Sequence, residues 1–409
     1  MFRVRRLPAV VLLCFVLMVP VSTAARTTVR VSSWYTYSPG EFLDVMKTRF
    51  EAENPKYEIE FLTVPSSQYY DQLQVLVAAG TSPDVAMLGF DWIGAMANNN
   101  VAMNIDKLVR ERFPVQELFP TIQRAVQWKG QYFALPRDIT AKVFYYNRKH
   151  FNEAGVAFPQ DDWTWRDFLT AAKSIHRVQG EEVTRWGFAM DFVLDGQYHW
   201  YSTNSADWFN ADRSRVTMTD EKTIEVMQFL QDLIYTHGVT PTPAQRNAMT
   251  NAATAFLTDR AAMQVGGSGV PDSTKYPELD WGAANLPMNT QPGTRVWANS
   301  WIIPTGTKDL EAAWATLAFF AGPEGQKVAA EMNTGFPSLR RIAMTMSVTH
   351  NYQAYILRAF EVGAPYPAIA NRNVWNVFNT EFGKFWRNEA PARPMAENLQ
   401  RQVEPLMAQ

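Results

Sequence analysis

The first third of the chain alternates between two hydrophobic patterns. Three short apolar runs predict strands, at residues 27–34, 57–64 and 83–88. Between them, apolar side chains recur at helical spacing over residues 40–52 and 69–79. This order of strand, helix, strand, helix, strand is typical of a doubly wound α/β sheet whose strands are parallel.

Aromatic and polar residues gather in two loops that follow predicted strands. Tyr35, Thr36 and Tyr37 follow the first strand, and Asp91 and Trp92 follow the third. Ligands of doubly wound sheets bind beyond the carboxyl ends of the strands. These side chains are therefore candidates for ligand contact, and the alternative for each aromatic residue is partly buried packing.

The rest of the chain is richer in predicted helices. An aromatic strand is predicted at 142–147, and Thr164 with Asp167 has the pattern of a helix capping box. Further helices are predicted at 220–236, 244–259 and 309–320. The sequence has no long Gly/Ser linker, which indicates that the chain crosses between two domains several times.

The amino terminus has the pattern of a secretory signal. Arg3, Arg5 and Arg6 precede an apolar stretch at 7–21, and small residues follow at 22–25. The stretch of about 15 apolar residues is shorter than the roughly 20 that a membrane-spanning helix needs, which argues against an anchor. We therefore expect residues 1–25 to be a signal peptide, cleaved after Ala24 or Ala25, and the protein to be periplasmic.

Cys14 is the only cysteine and lies within the predicted signal. Leu13 precedes it, where a lipoprotein signal would have a small residue, so no lipid anchor is expected. The secreted chain would hold no thiol, which excludes disulfides, cysteine nucleophiles and thiolate metal sites.

Charge and motif content exclude several other classes of function. The formal net charge is −2, which gives no basic footprint for nucleic acid or an anionic membrane. The five histidines are scattered without a metal-binding spacing, and the glycine cluster at 266–269 lacks both dinucleotide and phosphate-loop patterns. The Gly-x-Ser-x-Gly elbow of hydrolases is absent as well. We expect no metal, no cofactor and no nucleic-acid partner.

Aromatic residues are abundant, with 14 Trp, 15 Tyr and 25 Phe in the chain. Sugar rings have apolar faces and a rim of hydroxyl groups, so a sugar site needs flat aromatic side chains beside hydrogen-bonding groups. Three segments offer that pairing: Asp91-Trp92, Asn299-Ser300-Trp301, and Trp375 near Asn373 and Asn376. Core packing is the alternative for any single tryptophan.

Carboxylates leave a second class of function open. Glycoside-cleaving enzymes need two carboxyl groups facing one another across the sugar. Asp91, Asp138 and Asp191 are the candidates. They are equally suited to accept hydrogen bonds from sugar hydroxyls without proton transfer, or to serve as ordinary surface and capping residues.

Short motifs in a shared order run through the chain. They are Trp34 at the end of the first strand, FEAENP at 50–55, AAGTSPDV at 78–85, NID at 104–106, YYNR at 145–148, AGV at 154–156, WTW at 163–165, FLTDRAAM at 256–263, EAAW at 311–314 and GFP at 335–337. In these motifs the chain resembles the family 1 extracellular solute-binding proteins, the maltose-binding-protein-like receptors of carbohydrate ABC importers.

The resemblance implies an α/β fold of two lobes, each a mostly parallel sheet flanked by helices, with the ligand cleft between the lobes. The first lobe would comprise 26–138 and about 297–337, and the second 139–296 and about 338–409. Three hinge crossovers are expected near 138–141, 284–297 and 336–341. The implied protein is a monomeric receptor that closes around a sugar and delivers it to a membrane permease without catalysis.

The resemblance also carries over a set of ligand contacts. They are Tyr35, Thr36, Tyr37, Asp91, Trp92, Asp138, Trp200, Gly267, Ser268, Asn299, Trp301, Arg340 and Trp375. Stacking is implied for Trp92, Trp301 and Trp375. Hydroxyl recognition is implied for Asp91, Asp138, Asn299 and Arg340.

Two details bear on the size and charge of the solute. Where relatives often have a stacking tryptophan, this chain has Ser268-Gly269-Val270, which argues against a long oligosaccharide. A phosphorylated polyol such as glycerol 3-phosphate is the alternative to a neutral sugar, because Arg137, Arg340 and Arg372 are available to hold a phosphate.

Overall fold

The computed structural model describes residues 25–267, 276–332, 334–346 and 353–407. Residues 1–24 of the predicted signal peptide lie outside the described residues, as does Ser268. Within the described ranges, no helix is both long and apolar enough to cross a membrane.

Strands occur in both halves of the chain and belong to two main sheets and two short hairpins. They are β1 (Thr27–Ser33), β2 (Tyr57–Thr63), β3 (Val85–Gly89), β4 (Gln127–Trp128), β5 (Gln131–Tyr132), β6 (Leu135–Ala141), β7 (Val143–Asn147), β8 (Arg177–Gln179), β9 (Glu182–Arg185), β10 (Met263–Gly266), β11 (Trp281–Ala284), β12 (Arg295–Ile302) and β13 (Ala364–Pro365).

Helices flank the sheets along the whole chain. They are α1 (Phe42–Glu53), α2 (Tyr69–Ala78), α3 (Ile93–Asn98), α4 (Asp106–Arg112), α5 (Pro120–Ala125), α6 (Arg148–Ala154), α7 (Trp165–Ile175), α8 (Tyr198–Ser202), α9 (Glu221–Tyr235), α10 (Pro243–Asn247), α11 (Ala252–Leu257), α12 (Leu310–Ala321), α13 (Pro323–Glu331), α14 (Arg340–Met346), α15 (Gln353–Val362), α16 (Asn373–Trp386) and α17 (Ala392–Met407). Short 3-10 helices lie at Phe90–Trp92, Val115–Glu117 and Leu194–Gly196.

The first sheet has the strand order β2-β1-β3-β12, and β6 and β13 also pair with β12. β1 is parallel to both β2 and β3, as the alternating pattern of the first hundred residues predicts. β12 is antiparallel to β3 and to β6, and it comes from a segment some two hundred residues later in the chain. The chain therefore returns to complete its first sheet.

The second sheet differs from the prediction that both sheets are mostly parallel. Its order is β10-β7-β11, and both pairings are antiparallel. The parallel expectation derives from the consecutive strand–helix units at the amino terminus. The three strands of the second sheet are separated by long helical segments instead, so their direction is decided by packing over long sequence distances. The α/β class, with helices that flank two sheets, is confirmed.

Local sequence signals account for most helix boundaries. Thr164 caps α7 in the predicted capping box with Asp167, since each side chain receives a hydrogen bond from the other residue's backbone N–H. The predicted helix at 244–259 is wrong as one element, because it is split into α10 and α11. The break lies at Thr250, whose φ is +69°, and at Asn251, whose side chain caps α11.

Aromatic side chains form the interior of each lobe. In the first lobe, Trp301 on β12 is fully buried and meets Phe320 of α12 at a centroid distance of 5.2 Å. In the second lobe, Trp200 is fully buried, with Phe168 at 5.4 Å and Phe229 at 5.7 Å. Rings of this size bury large apolar areas and dominate the packing energy of a core.

The two sheets meet where β6 leads into β7. Lys142 is the single residue between these strands, so the chain passes from one sheet to the other in one step. Phe336 accepts a backbone hydrogen bond from Ile139, which brings a later segment beside this crossing. Ile139 and Phe336 lie within the crossovers predicted near 138–141 and 336–341, and Lys142 directly follows the first of them. The crossovers and the lobe boundaries stay predictions.

We expect Trp301→Ala to lower the free energy of unfolding by about 3 to 5 kcal/mol, because it removes a fully buried indole and leaves a cavity. Urea denaturation followed by circular dichroism measures the change. Val75→Ala is the control, since Val75 is 64% exposed and its truncation should have little effect. Equal midpoints for the two variants would contradict the placement of Trp301 in the core.

Candidate functional site

An open cavity of about 560 Å³ lies at the meeting point of the two sheets. Its lining residues come from both halves of the chain: Asp91, Thr140, Ala141, Lys142, Leu194, Asp195, Gly267, Arg295, Trp297, Tyr366, Arg372, Trp375 and Asn379. A volume of this size suits a small-molecule ligand.

Strand ends deliver most of these residues to the cavity. Asp91 follows the carboxyl end of β3, as expected for a ligand site on a doubly wound sheet. Thr140 and Lys142 lie where β6 ends, and Arg295 and Trp297 lie where β12 begins. The cavity therefore sits on the backbone segments that join the two sheets.

The second lobe and the C-terminal region close the other side. Asp195 is on the 3-10 helix Leu194–Gly196, and Gly267 directly follows β10. Tyr366 follows β13, while Trp375 belongs to α16. Ligand contacts from both sides would thus span the cleft between the lobes.

Three aromatic rings form one wall of the cavity. Tyr366 stacks on Trp375, with centroids 5.3 Å apart and an interplanar angle of 23°. Trp297 lies 5.9 Å from Tyr366 at 47°. Tyr366 and Trp375 are both buried, so the half-buried Trp297 presents most of the apolar ring surface that the C–H face of a sugar requires.

Asp91, after β3 of the first sheet, forms an ion pair with Arg372, which directly precedes α16. Nη1 of Arg372 lies 3.3 Å from Oδ2 of Asp91 and donates a hydrogen bond to the Asp91 carbonyl at 3.2 Å. Burial raises the pKa of the Asp91 carboxyl, and the charge of Arg372 opposes that shift. The guanidinium also lies 4.0 Å from the ring centroid of Trp92.

A second charged cluster lies where the strands cross. Arg295 pairs with Asp195, and Nζ of Lys142 is 3.4 Å from the same carboxylate. The Arg295 guanidinium lies over two rings of the wall, 4.7 Å from Trp297 and 5.2 Å from Tyr366. Burial lowers the pKa of Lys142; Asp195 opposes this shift and Arg295 adds to it.

The family model of bacterial extracellular solute-binding proteins matches residues 35–327, well over half of the chain. The chain belongs to this family.

Individual relatives agree with this assignment over long stretches. A putative binding protein of Brucella abortus is 24% identical over 291 residues, 70% of this chain and 69% of that protein. The maltodextrin-binding protein MdxE of Bacillus subtilis is 22% identical over 383 residues, 89% of this chain and 88% of that protein.

A solved structure shows the same fold. The ABC substrate-binding protein of Listeria monocytogenes in complex with cycloalternan superposes with a TM-score of 0.80 at 21% sequence identity. The superposition covers 94% of this chain and 99% of the other. The extracellular solute-binding family and its two-lobed fold are thereby established for this chain, and the family is one of binding proteins.

Three of the predicted contact residues of this solute-binding protein line the cavity. They are Asp91, Gly267 and Trp375. The Gly267 carbonyl accepts a hydrogen bond from the Tyr145 hydroxyl at 2.8 Å, which fixes the backbone at the cavity edge. Their contact with a solute stays a prediction, and Ser268 lies beyond the part of the chain that the structure describes.

The structure corrects the predicted contact at Trp200 and the predicted stacking at Trp301 and Trp92. Trp200 and Trp301 are fully buried in the cores of the second and first lobe and do not line the cavity. Trp92 lies beside the cavity, but its ring stacks on Tyr70 at 4.0 Å and carries Arg372 at 4.0 Å. Since these neighbours occupy its ring, Trp92 is placed to support Arg372 rather than to stack on a solute.

The first predicted loop also lies off the cavity. Tyr35, Thr36 and Tyr37 are exposed, and none of them lines it. The Tyr37 hydroxyl donates to Asp44 at 2.5 Å, and Tyr35 lies over the guanidinium of Arg137 at 4.7 Å. These contacts are within the first lobe.

The remaining predicted contacts pair with other protein groups. Asp138 is buried, pairs with Arg137 and accepts a hydrogen bond from Asn299 at 3.0 Å. Arg340 forms an ion pair with Glu361, and its side chain is 44% exposed. Because neither Arg137 nor Arg340 lines the cavity, the predicted three-arginine phosphate site is wrong; Arg372 alone of the three is there.

The structure also separates the three candidate catalytic carboxylates. Asp91 lines the cavity, whereas Asp138 and Asp191 do not. Asp191 accepts a hydrogen bond from the backbone N–H of Ala252 at 3.0 Å and so acts as a local structural residue.

Sequence reasoning missed several lining residues. Lys142, Asp195, Arg295, Trp297, Tyr366 and Asn379 were not singled out. Lys142, Arg295 and Trp297 fall in or beside the predicted crossovers, so a search for charged and aromatic residues at those crossovers would have found them. Asp195 and Tyr366 sit in segments with no comparable signal.

We expect Asp91→Asn to gain stability relative to the natural protein as the pH rises above about 4, the ordinary pKa of an aspartate carboxyl. The pKa of Asp91 is raised on folding, so the folded protein holds this proton more tightly than the unfolded chain does. The natural protein therefore loses stability as the pH rises through that raised value, and the variant lacks this loss. Chemical denaturation at several pH values measures the difference.

Asp280→Asn is the matched control, because Asp280 pairs with Arg148 on the surface with 57% of its side chain exposed. A difference in unfolding free energy between Asp91→Asn and the natural protein that stays constant with pH would contradict the burial of Asp91.

Proposed function

We propose that the protein is the substrate-binding component of an ABC importer and that it captures a carbohydrate in the cavity between its lobes. The observation that carries this proposal is the wall of Trp297, Tyr366 and Trp375 with charged groups at its edge. A sugar ring would lie against the aromatic faces while its hydroxyl groups meet the polar residues.

The relatives support the choice of ligand class. One is a maltodextrin-binding protein, and the solved neighbour is in complex with cycloalternan. Both ligands are carbohydrates. The cavity supports a compact ligand for this chain, in keeping with the expectation against a long oligosaccharide.

We propose binding without cleavage. The two carboxylates among the described lining residues, Asp91 and Asp195, are engaged with cations, which favours a structural or recognition role over proton transfer. The proposed setting is the periplasm, with a monomeric receptor that presents its closed form to a membrane permease.

Closure by hinge motion is part of the proposal. The backbone would bend at the crossovers near 138–141, 284–297 and 336–341. The first lobe would comprise residues 26–138 and about 297–337. The second lobe would comprise residues 139–296 and about 338–409. The short link through Lys142 supports a local bend, because few backbone dihedrals connect the two sheets there. β13, at residues 364–365, pairs with β12 of the first sheet and so lies at the junction.

A thermal-shift screen of residues 26–409 against mono-, di- and trisaccharides, polyols and sugar phosphates tests the ligand class. A solute that binds the folded protein raises the melting temperature by mass action. For the solute that is found, Trp297→Ala should weaken the affinity on the order of tenfold, since it removes ring contact.

Trp128→Ala is the control, because this half-buried indole packs against Gly94 of α3 and does not line the cavity. The proposed site would be overturned if no solute in the panel raised the melting temperature, or if both variants lost affinity equally.

Small-angle X-ray scattering tests closure. Saturation with the identified solute should lower the radius of gyration, because contacts from both lobes favour the closed state. The control is Trp297→Ala with the same solute. The solute concentration is kept below the weakened dissociation constant of this variant. An unchanged radius at saturation would contradict a hinge mechanism.

A further inference from the structure

We infer that the solute carries an anionic group, a carboxylate or a phosphate, which binds at Lys142, Arg295 and Arg372 beside the aromatic wall. The inference rests on the proposed carbohydrate-binding function and narrows it from sugars in general to acidic sugars. It follows from the balance, burial and geometry of the charges in the cavity.

The charges of the described residues that line the cavity do not cancel. Among these residues, three cations, Lys142, Arg295 and Arg372, face two carboxylates, Asp91 and Asp195. Asp91 is engaged by Arg372, so the single carboxylate of Asp195 serves both Arg295 and Lys142. One positive charge at the crossing of the strands therefore has no carboxylate of its own among the described lining residues.

Burial makes the surplus significant. The side chains of Arg295 and Lys142 are 6% and 15% exposed, whereas that of Asp195 is 45% exposed. Buried charges need close partners, because they have lost most of their hydration. The cations are thus fixed inside, and their shared anion stands at the solvent side, where a ligand's anionic group could join or replace it.

The geometry of Arg295 fits a binding role. Its guanidinium is held over Trp297 and Tyr366, which fixes the orientation of its N–H groups. Nε of Arg295 is buried and has no hydrogen-bond partner within the described chain. A planar carboxylate or a phosphate can accept two parallel hydrogen bonds from such a fork, and a hydroxyl group cannot.

A neighbouring side chain reflects the same positive field. His199 is 1% exposed, and neither ring nitrogen has a hydrogen-bond partner in the parts of the chain that are described. Burial first, and then the charges of Lys142 and Arg295, hold the pKa of His199 well below its usual value. The imidazole is therefore neutral at pH 7 and adds no further positive charge to the cluster.

A neutral sugar would leave this imbalance in place. Both carboxylates are paired with cations, and Oδ1 of Asp91 has no hydrogen-bond partner among the described residues. A sugar hydroxyl could donate to this oxygen, but it would supply no charge to the cations. An acidic sugar would place its ring on the aromatic wall and supply the missing negative charge at the edge.

The test is isothermal titration calorimetry of the natural protein with matched sugar pairs. The pairs are galacturonate with galactose, glucuronate with glucose, and glucose 6-phosphate with glucose, together with the galacturonate and galactose disaccharides. We expect an acidic member to bind on the order of tenfold to a hundredfold more tightly than its neutral partner. That preference should shrink in higher salt. The ranking of uronates against glucose 6-phosphate distinguishes carboxylate from phosphate.

Two variants locate the group. Lys142→Gln and Arg295→Gln should reduce the preference for the acidic member, and Arg148→Gln should leave it intact. Arg148 is the matched control because it pairs with Asp280 on the surface, away from the cavity. Melting temperatures of the unliganded variants show whether each variant is folded. Titration of the natural protein with the matched sugar pairs gives a result that does not depend on the variants.

Two results would overturn the inference, and they are distinguishable. Neutral members that bind as tightly as their acidic partners would refute the anionic group and leave the carbohydrate receptor standing. Absence of binding by every acidic and neutral sugar would refute both.

Discussion

β6 and β12 pair in antiparallel register from Ala141 opposite Val296 to Leu135 opposite Trp301. At one end this ladder lies beside β3 and completes the first sheet; at the other, β6 passes through Lys142 into β7 of the second sheet. Backbone hydrogen bonds therefore hold the chain at the point where it leaves one lobe for the other. The aromatic wall and the charged cluster are both positioned by this strand pairing. Formation of the cavity therefore depends on the pairing of β6 with β12.

The sequence predicted the first lobe well because its structure is local. Each strand and helix of residues 27–89 follows directly from hydrophobic period, and the parallel sheet follows from their order. β12 could not be assigned to that sheet by the same reasoning, because its partners β3 and β6 lie far away in sequence. The antiparallel second sheet was missed for the same physical reason, since long helical segments separate its strands.

The candidate site shows where residue type stops being informative. Trp297 and Trp301 lie on the same strand two pleats apart, yet one lines the cavity and the other is fully buried beneath α12. A register shift in the β6 pairing falls between them, at Asn299 and Ser300. Hydrophobic pattern identifies a strand and its faces, but the depth at which a core ends and a cleft begins is set by which helix covers the strand. The prediction chose the buried ring for that reason.

Ion pairs at a ligand site impose opposite demands on stability and binding. Cations that are held in a buried cluster are costly without partners, so Asp91 and Asp195 stabilise the unliganded receptor. The two pairs are not equivalent. Asp91 is buried and follows β3 of the first sheet, whereas its partner Arg372 directly precedes α16 of the C-terminal region. Asp195 is exposed, and its short helix belongs to the second lobe.

Closure would move the two lobes relative to one another, and the Asp91–Arg372 pair is the one that this motion would change, because Asp91 lies in the proposed first lobe and Arg372 in the proposed second. Asp195, Arg295 and Lys142 all lie within the proposed second lobe or its crossovers, so their contacts would be kept. A solute that binds Arg372 would then couple its own binding to the position of the second lobe, and its binding energy would favour the lobe arrangement in which Arg372 serves both Asp91 and the solute. The charge balance of the cavity and the conformation of the receptor are therefore one problem, because the same arginine enters both.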